Sequence, residues 1–239
     1  MATAYYDRYW TTEGFQPTGN TFKELGNFLA DHAKAGQSWL DVGCGDGRTS
    51  GVWLASNGIE YTGVDVSQTA VAEACSIGLD ARLIEDAGSL PFDDDTFDGI
   101  VMVEVLEHLF EPQVAAREIL RVLKPGGTFF ATVPNVAYWR RRLELGLLGR
   151  FDPIGDDLSI DQPWRDPHIR FFTAATLHHM LAGEGFAAIK VAGHAGAWVS
   201  DWPRVGRGRT GNSAAYRWLE ARAPGLLGKR LNVVARKAD

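Results

Sequence analysis

The sequence predicts a doubly wound α/β fold: a seven-stranded, mostly parallel sheet with helices on both faces. Three observations carry that reading. From residue 38 to 134, short apolar runs of strand length alternate with segments of helix length. The first run empties into a glycine-rich turn that opens a helix, and an acidic residue, Asp65, ends the second. After residue 134 the alternation loosens into two long excursions, which a compact domain uses as lids or binding loops.

The 239 residues are 45% apolar and 23% charged, ordinary values for a globular protein that buries its own core. One domain is expected over 1–239, with 1–37 as an N-terminal helical lid. Strands are expected at 39–43, 61–66, 81–84, 99–103 and 128–133, with helices at 48–57, 68–77 and 113–123. The last helix ends at Lys124-Pro125-Gly126-Gly127, where proline and two glycines stop a helix and turn the chain. A first excursion at 135–172 precedes a helix at 174–183 and a strand at 186–191. A second excursion, 193–229, precedes a final strand at 231–235 that closes the sheet.

Composition also excludes some roles. The net charge of −6 argues against a general nucleic-acid binder, because phosphate contacts supply most non-specific affinity. Two cysteines, Cys44 and Cys75, lack metal-ligand spacing and suit a reducing compartment, so a cytoplasmic location is expected. Residues 1–10 are polar and aromatic, unlike a signal peptide, and no apolar run reaches the length of a membrane span.

The segment Leu40-Asp41-Val42-Gly43-Cys44-Gly45-Asp46-Gly47 is the strongest local signal. Its glycines allow close approach to a ligand, and the helix behind them offers free N–H groups. A carboxylate at Asp65 can accept both hydroxyls of a ribose. The spacing is G-x-G-x-G, not the G-x-G-x-x-G of dinucleotide binders. In order along the chain follow Glu85-Asp86-Ala87, then Glu104-Val105-Leu106-Glu107-His108 after the fourth strand, then Leu123-Lys124-Pro125-Gly126-Gly127. With these motifs the chain resembles the class I S-adenosylmethionine-dependent methyltransferases, with their Rossmann-like sheet.

That resemblance implies roles residue by residue. Gly43, Cys44 and Gly45 would pass beneath the methionine part of S-adenosylmethionine, with Asp41 positioning its amino group. Asp65 would hold the ribose, Val66 would lie against adenine, and Asp86 and Ala87 would meet the adenine edge. Tyr5-Tyr6-Asp7-Arg8-Tyr9-Trp10 is similar to the lid helix of such enzymes; an aromatic helix face packed on the domain is the alternative.

Glu104, Glu107 and His108 lie at the end of the sheet where ligands bind, and His168 follows far along the chain in Pro167-His168-Ile169-Arg170. This pair of segments, with Pro134-Asn135-Val136, resembles the ubiquinone-biosynthesis O-methyltransferases and the small-RNA 2′-O-methyltransferases. It implies that Glu104, Glu107, His108 and His168 ligate one divalent metal, Mg²⁺ or Mn²⁺, leaving positions for two adjacent substrate oxygens. Leu109 stands where the RNA enzymes have a second histidine, and similar turns occur in metal-free relatives. There His108 or His168 is the candidate general base.

Eight tryptophans, five of them (Trp139, Trp164, Trp198, Trp202, Trp218) in the excursions, suit stacking on a carbohydrate or anchoring of loops. A small-molecule acceptor is expected, a saccharide hydroxyl first, with a phenol, polyketide or carboxylate as the alternative and no nucleic acid. Segment 136–151 reads as a substrate lid; Gly146 and Gly149 weaken it as a continuous helix on a membrane surface. A non-catalytic cofactor-binding accessory protein is the reading from another class.

Overall fold

The computed structural model describes residues 2–12, 19–152, 168–194 and 222–239. Seven strands form one sheet: β1 Ser38–Val42, β2 Glu60–Asp65, β3 Ala81–Leu83, β4 Phe97–Val103, β5 Leu123–Pro134, β6 Ala187–His194 and β7 Arg230–Arg236. Their order is β3-β2-β1-β4-β5-β7-β6. The pairs among β1 to β5 are parallel, and β7 runs antiparallel to both β5 and β6. All seven expected strands are present. The last one completes the sheet by inserting between β5 and β6.

Each central strand alternates its side chains between two cores, as a period of two requires. Leu40, Val42, Ile100, Met102, Phe129, Ala131, Val133, Leu231 and Val233 lie in one cluster; Trp39, Val101, Val103 and Phe130 lie in the other. The first cluster is covered by α5 Pro112–Val122 and α7 Ala174–Gly183. In α5, Ala115, Ala116, Ile119 and Val122 form a buried stripe at helical spacing, and Pro112 opens the first turn, where no N–H is needed. The second cluster is covered by α2 Gly19–His32, through Leu25, Phe28 and Leu29, and by α3 Gly51–Ser56, through Leu54. The 1–37 segment is therefore two things: α1 Ala2–Thr12, which lies beside α4 Gln68–Ser76, and α2, which is a core layer of the domain.

Two expectations at turns are corrected. The helix stops before Lys124-Pro125-Gly126-Gly127 as expected, but in place of a separate turn these residues bulge within β5, the register shifting between the Phe97–Leu123 and Gly99–Thr128 pairs. Gly126 takes φ +71 within that stretch. In the first excursion α6, Trp139–Leu148, runs straight through Gly146 and ends where Gly149 adopts the left-handed conformation. The excursion is tied at its base: Asn135 bridges Phe172, and the Asn135 amide donates to the Gly228 carbonyl at 2.7 Å beside α8, Pro224–Leu227. Arg141, buried, reaches Asp152 at 3.0 Å and Glu144 at 2.7 Å, which pins α6 to the chain that follows it.

The strand order reverses between β1 and β4. In open α/β sheets the crevice at that switch point is where ligands bind. Both motif-bearing turns, after β1 and after β4, open there.

Candidate active site

The turn after β1 is held on its neighbour strand: Gly43 and Cys44 N–H both donate to the Val64 carbonyl, at 2.8 and 3.0 Å. Gly43, Gly45 and Gly47 all have φ between +55 and +75, a region side chains disfavour. A Cβ on Gly43 would sit 2.3 Å from a Val105 methyl, so that glycine lets the two motif turns approach. The Asp65 carboxylate accepts from the N–H of Gly45 and of Ser67, both at 2.9 Å, which fastens the glycine turn to the end of β2. A carboxylate has about four lone-pair sites, so further acceptor capacity toward hydroxyls is retained. Val66 is half-buried against the main core, Ala87 is buried, and exposed Asp86 accepts from the Gly88 N–H at 2.7 Å.

Asp41, at the end of β1, has a bracing contact besides the role expected for it. Its carboxylate is buried, and one oxygen, Oδ2, accepts from the Ser50 hydroxyl and, at 3.4 Å, from the Tyr61 phenol, which braces the turn from inside. Burial pushes its pKa up to about 7, against the two hydrogen bonds; the Asp65 charge adds to the rise. Burial likewise raises the Cys44 thiol, which packs as an inert apolar group.

Helix α1 covers this turn. Asp7 accepts from the Ser67 hydroxyl at 2.7 Å and the Thr69 N–H at 3.2 Å, at the start of α4. A Cβ on Gly45 would lie 2.4 Å from the Trp10 ring, so the indole rests directly on the glycine. Tyr6 stacks edge-on against His108, with ring centres 6.1 Å apart. Burial raises the Tyr6 phenol, and the nearby charges of Tyr5, Glu107 and Asp65 raise it further.

After β4 the two glutamates diverge. Glu104, at φ +55, accepts from the Thr132 hydroxyl at 2.8 Å and from Arg230 of β7 at 3.0 Å. It is thereby held apart from the ligand cluster it was expected to join. Glu107 is 1% exposed, and neither carboxylate oxygen has a hydrogen-bond partner among the described residues. Around it stand His108 and His168, whose rings are 4.6 Å apart; one ligand atom from each of the three residues lies within 4.8 Å of the others. The His168 Nε2 to Glu107 distance is 4.0 Å. Burial, then the Glu104 charge, push Glu107 well above the usual carboxylate range, with Arg230 opposing. The return segment is fixed here because Ile169 and Arg170 N–H both donate to the Glu107 carbonyl at 3.0 Å. An orphaned buried carboxylate between two imidazoles is a donor set that a divalent cation fits.

Sequence reasoning missed Ser50, Tyr61, Thr132 and Arg230. Each is an ordinary residue type whose contribution depends on strand register or, for Ser50 at the start of α3, on how that helix sits against β1, and no local pattern marks it. His194 lies in β6. Trp164, Trp198, Trp202, Trp218 and the arginines at 204, 207 and 209 lie outside the described residues.

Residues 40–131 match the family described as a methyltransferase domain. A 2-methyl-6-phytyl-1,4-hydroquinone methyltransferase of Synechocystis sp. is 35% identical over 163 residues, 66% of this chain and 46% of that protein. A ubiquinone biosynthesis O-methyltransferase of Idiomarina loihiensis is 30% identical over 57% of this chain and 60% of that protein. The chain spans from about a third to two thirds of the length of such curated relatives. Among solved structures, an S-adenosylmethionine-dependent methyltransferase from Archaeoglobus fulgidus superposes with a TM-score of 0.65 at 18% identity. That match covers 98% of this chain and 99% of the other, and shares the fold. The glycine turn, the strand order and these matches identify residues 40–131 as a methyltransferase domain, on a fold shared with an S-adenosylmethionine-dependent methyltransferase.

Proposed function

We propose that this protein transfers the methyl group of S-adenosylmethionine to a hydroxyl of a small-molecule acceptor, a saccharide with adjacent oxygens in the first instance. The observation that carries the reaction site is Glu107, fully buried and without a hydrogen-bond partner among the described residues, beside His108 and His168. Methyl transfer is an in-line displacement. The acceptor oxygen bonds to the methyl carbon, the carbon–sulfur bond breaks, and the sulfonium leaves as a neutral thioether. The enzyme contributes alignment and exclusion of water, for which α1 over the glycine turn is suited. A sugar hydroxyl is weakly acidic, so its proton needs a receiver, and His108 or His168 is the candidate base.

A divalent ion held by Glu107, His108 and His168 would supply a Lewis acid that lowers the acceptor hydroxyl's pKa. Glu104 is left out of that set by its bonds to Arg230 and Thr132. The cofactor would lie along Gly43, Cys44 and Gly45, with Asp65 at the ribose and Val66, Asp86 and Ala87 about the adenine. A second reading, a phenolic acceptor, is supported by relatives named for hydroquinone methylation and ubiquinone biosynthesis.

The test has two parts. Mn²⁺ is titrated calorimetrically into chelator-stripped protein saturated with S-adenosylhomocysteine. One tight site, lost in Glu107→Gln, supports the metal reading; no binding favours a histidine base. A panel of vicinal sugar diols and catechols is then screened by mass spectrometry for a mass gain of one methylene. Cofactor binding without turnover on any acceptor would instead indicate an accessory protein.

A further inference from the structure

The acceptor end of the molecule exposes apolar side chains that the site does not use. On α6, Leu147 is 77% and Leu148 67% exposed, and Leu143 lies one turn before Leu147 on the same side. Beyond the helix, the exposed Phe151 ring meets Phe171 edge-on at 5.4 Å. Phe171 belongs to the short return segment that starts at His168. Arg170 in that segment donates to the carbonyl of Phe110, whose side chain is 78% exposed. The apolar surface therefore runs from α6 to the rim of the Glu107–His108–His168 cluster.

The charge around it is the reverse of the chain's own. Residues 139–152 hold four arginines against one glutamate and one aspartate, and although Arg140 and Arg141 are paired with those acids the segment stays net positive, while the whole chain carries −6. Exposed Arg142 donates to the carbonyls of Ala137 and Gly225, and exposed Arg170 to those of Ile169 and Phe110. Backbone carbonyls leave a guanidinium its full positive charge, which carboxylate partners would cancel. No helix among the described residues is long and apolar enough to cross a membrane. α6 has ten residues, about 15 Å of helix, and suits lying in the plane of an interface.

From this juxtaposition of protruding leucines and phenylalanines with uncancelled arginines at one end of the fold, we infer that this face docks onto an anionic lipid surface. Basic residues draw the protein to anionic headgroups, and apolar side chains bury among the acyl chains beneath them. On the reading of the reaction site given above, on which this part rests, docking turns the acceptor site toward the bilayer, where a lipid-linked hydroxyl is presented.

The full chain is tested by flotation with vesicles of phosphatidylcholine alone and of phosphatidylcholine with about a third phosphatidylglycerol. Binding to the anionic vesicles is expected to be at least about tenfold stronger, and to weaken at about 0.5 M salt. A Leu147→Glu/Leu148→Glu variant should lose vesicle binding and keep its S-adenosylhomocysteine affinity, which shows that it is folded. Arg142→Glu should weaken binding to anionic vesicles only. Equal binding to both vesicle types, or none, overturns the inference, as does undiminished binding by the double leucine variant. So does concentration-dependent self-association in sedimentation that the leucine variant abolishes, since the face would then belong to a second copy. Loss of the proposed reaction would appear separately, as absence of turnover on soluble acceptors.

Discussion

Replacing Asp41 by asparagine should change how the stability of the domain depends on pH, and the structure sets the size of the effect. The folded carboxyl titrates at about 7, against an ordinary value of 3.8. A carboxyl whose folded pKa is raised keeps its proton in the folded state while the unfolded chain has lost it. Its penalty is therefore absent below pH 4, grows as pH rises from 4 to 7, and is complete above 7. The full shift corresponds to about 4 kcal/mol; at pH 5 the penalty is only about 1.7 kcal/mol. Asparagine has no charge to desolvate and still offers an oxygen to the Ser50 hydroxyl and the Tyr61 phenol. The stability of Asp41→Asn relative to the parent should accordingly improve by about 2.5 kcal/mol between pH 5 and pH 8. Urea unfolding followed by tryptophan fluorescence at the two pH values measures it, with similar slopes required in both proteins. Other titrating groups cancel in the difference, apart from Asp65, which interacts with Asp41 by charge. A relative stability identical at pH 5 and pH 8 would refute the claim that Asp41 is held by burial at the expense of its charge.

Three further outcomes are expected. Arg141→Met removes the cation shared by Asp152 and Glu144 in a buried setting, and should cost about 3 kcal/mol in urea unfolding. Gly99→Ala places a Cβ 2.3 Å from the ring of Trp39, which is closed in on all sides; a loss of about 1–3 kcal/mol, read as a lowered Tm, is expected. Trp10→Ala uncovers Gly45, so stopped-flow association and release of S-adenosylhomocysteine should both speed up, by about tenfold, with affinity changed less than either rate. Unchanged rates would remove α1 from the path of the cofactor.

How far the sequence could be read depends on the range of the interaction involved. The strands were legible because alternation is local: Ile100 and Met102 on one face and Val101 and Val103 on the other declare β4 without reference to anything else. The glycine turn was legible because its backbone geometry demands glycine itself. The path of α6 was misread at Gly146, where the penalty for an internal glycine, about 1 kcal/mol, is outweighed by the contacts of Arg140 with Glu144 and of Arg141 with Glu144 and Asp152. The position of β7 was not legible at all, since its alternation marks a strand but names no neighbour.

That last point decides the reaction site. β7 lies against β5 with Arg230 opposite Pro134, and this register delivers Arg230 to Glu104, 126 residues away. Glu104 and Glu107 look equivalent in the motif, three residues apart on one turn. An arginine brought by a distant strand, with Thr132 of β5, satisfies the first and leaves the second to face two imidazoles. A motif can thus put two acids in the right neighbourhood, while the sheet determines which of them still has a carboxylate to offer.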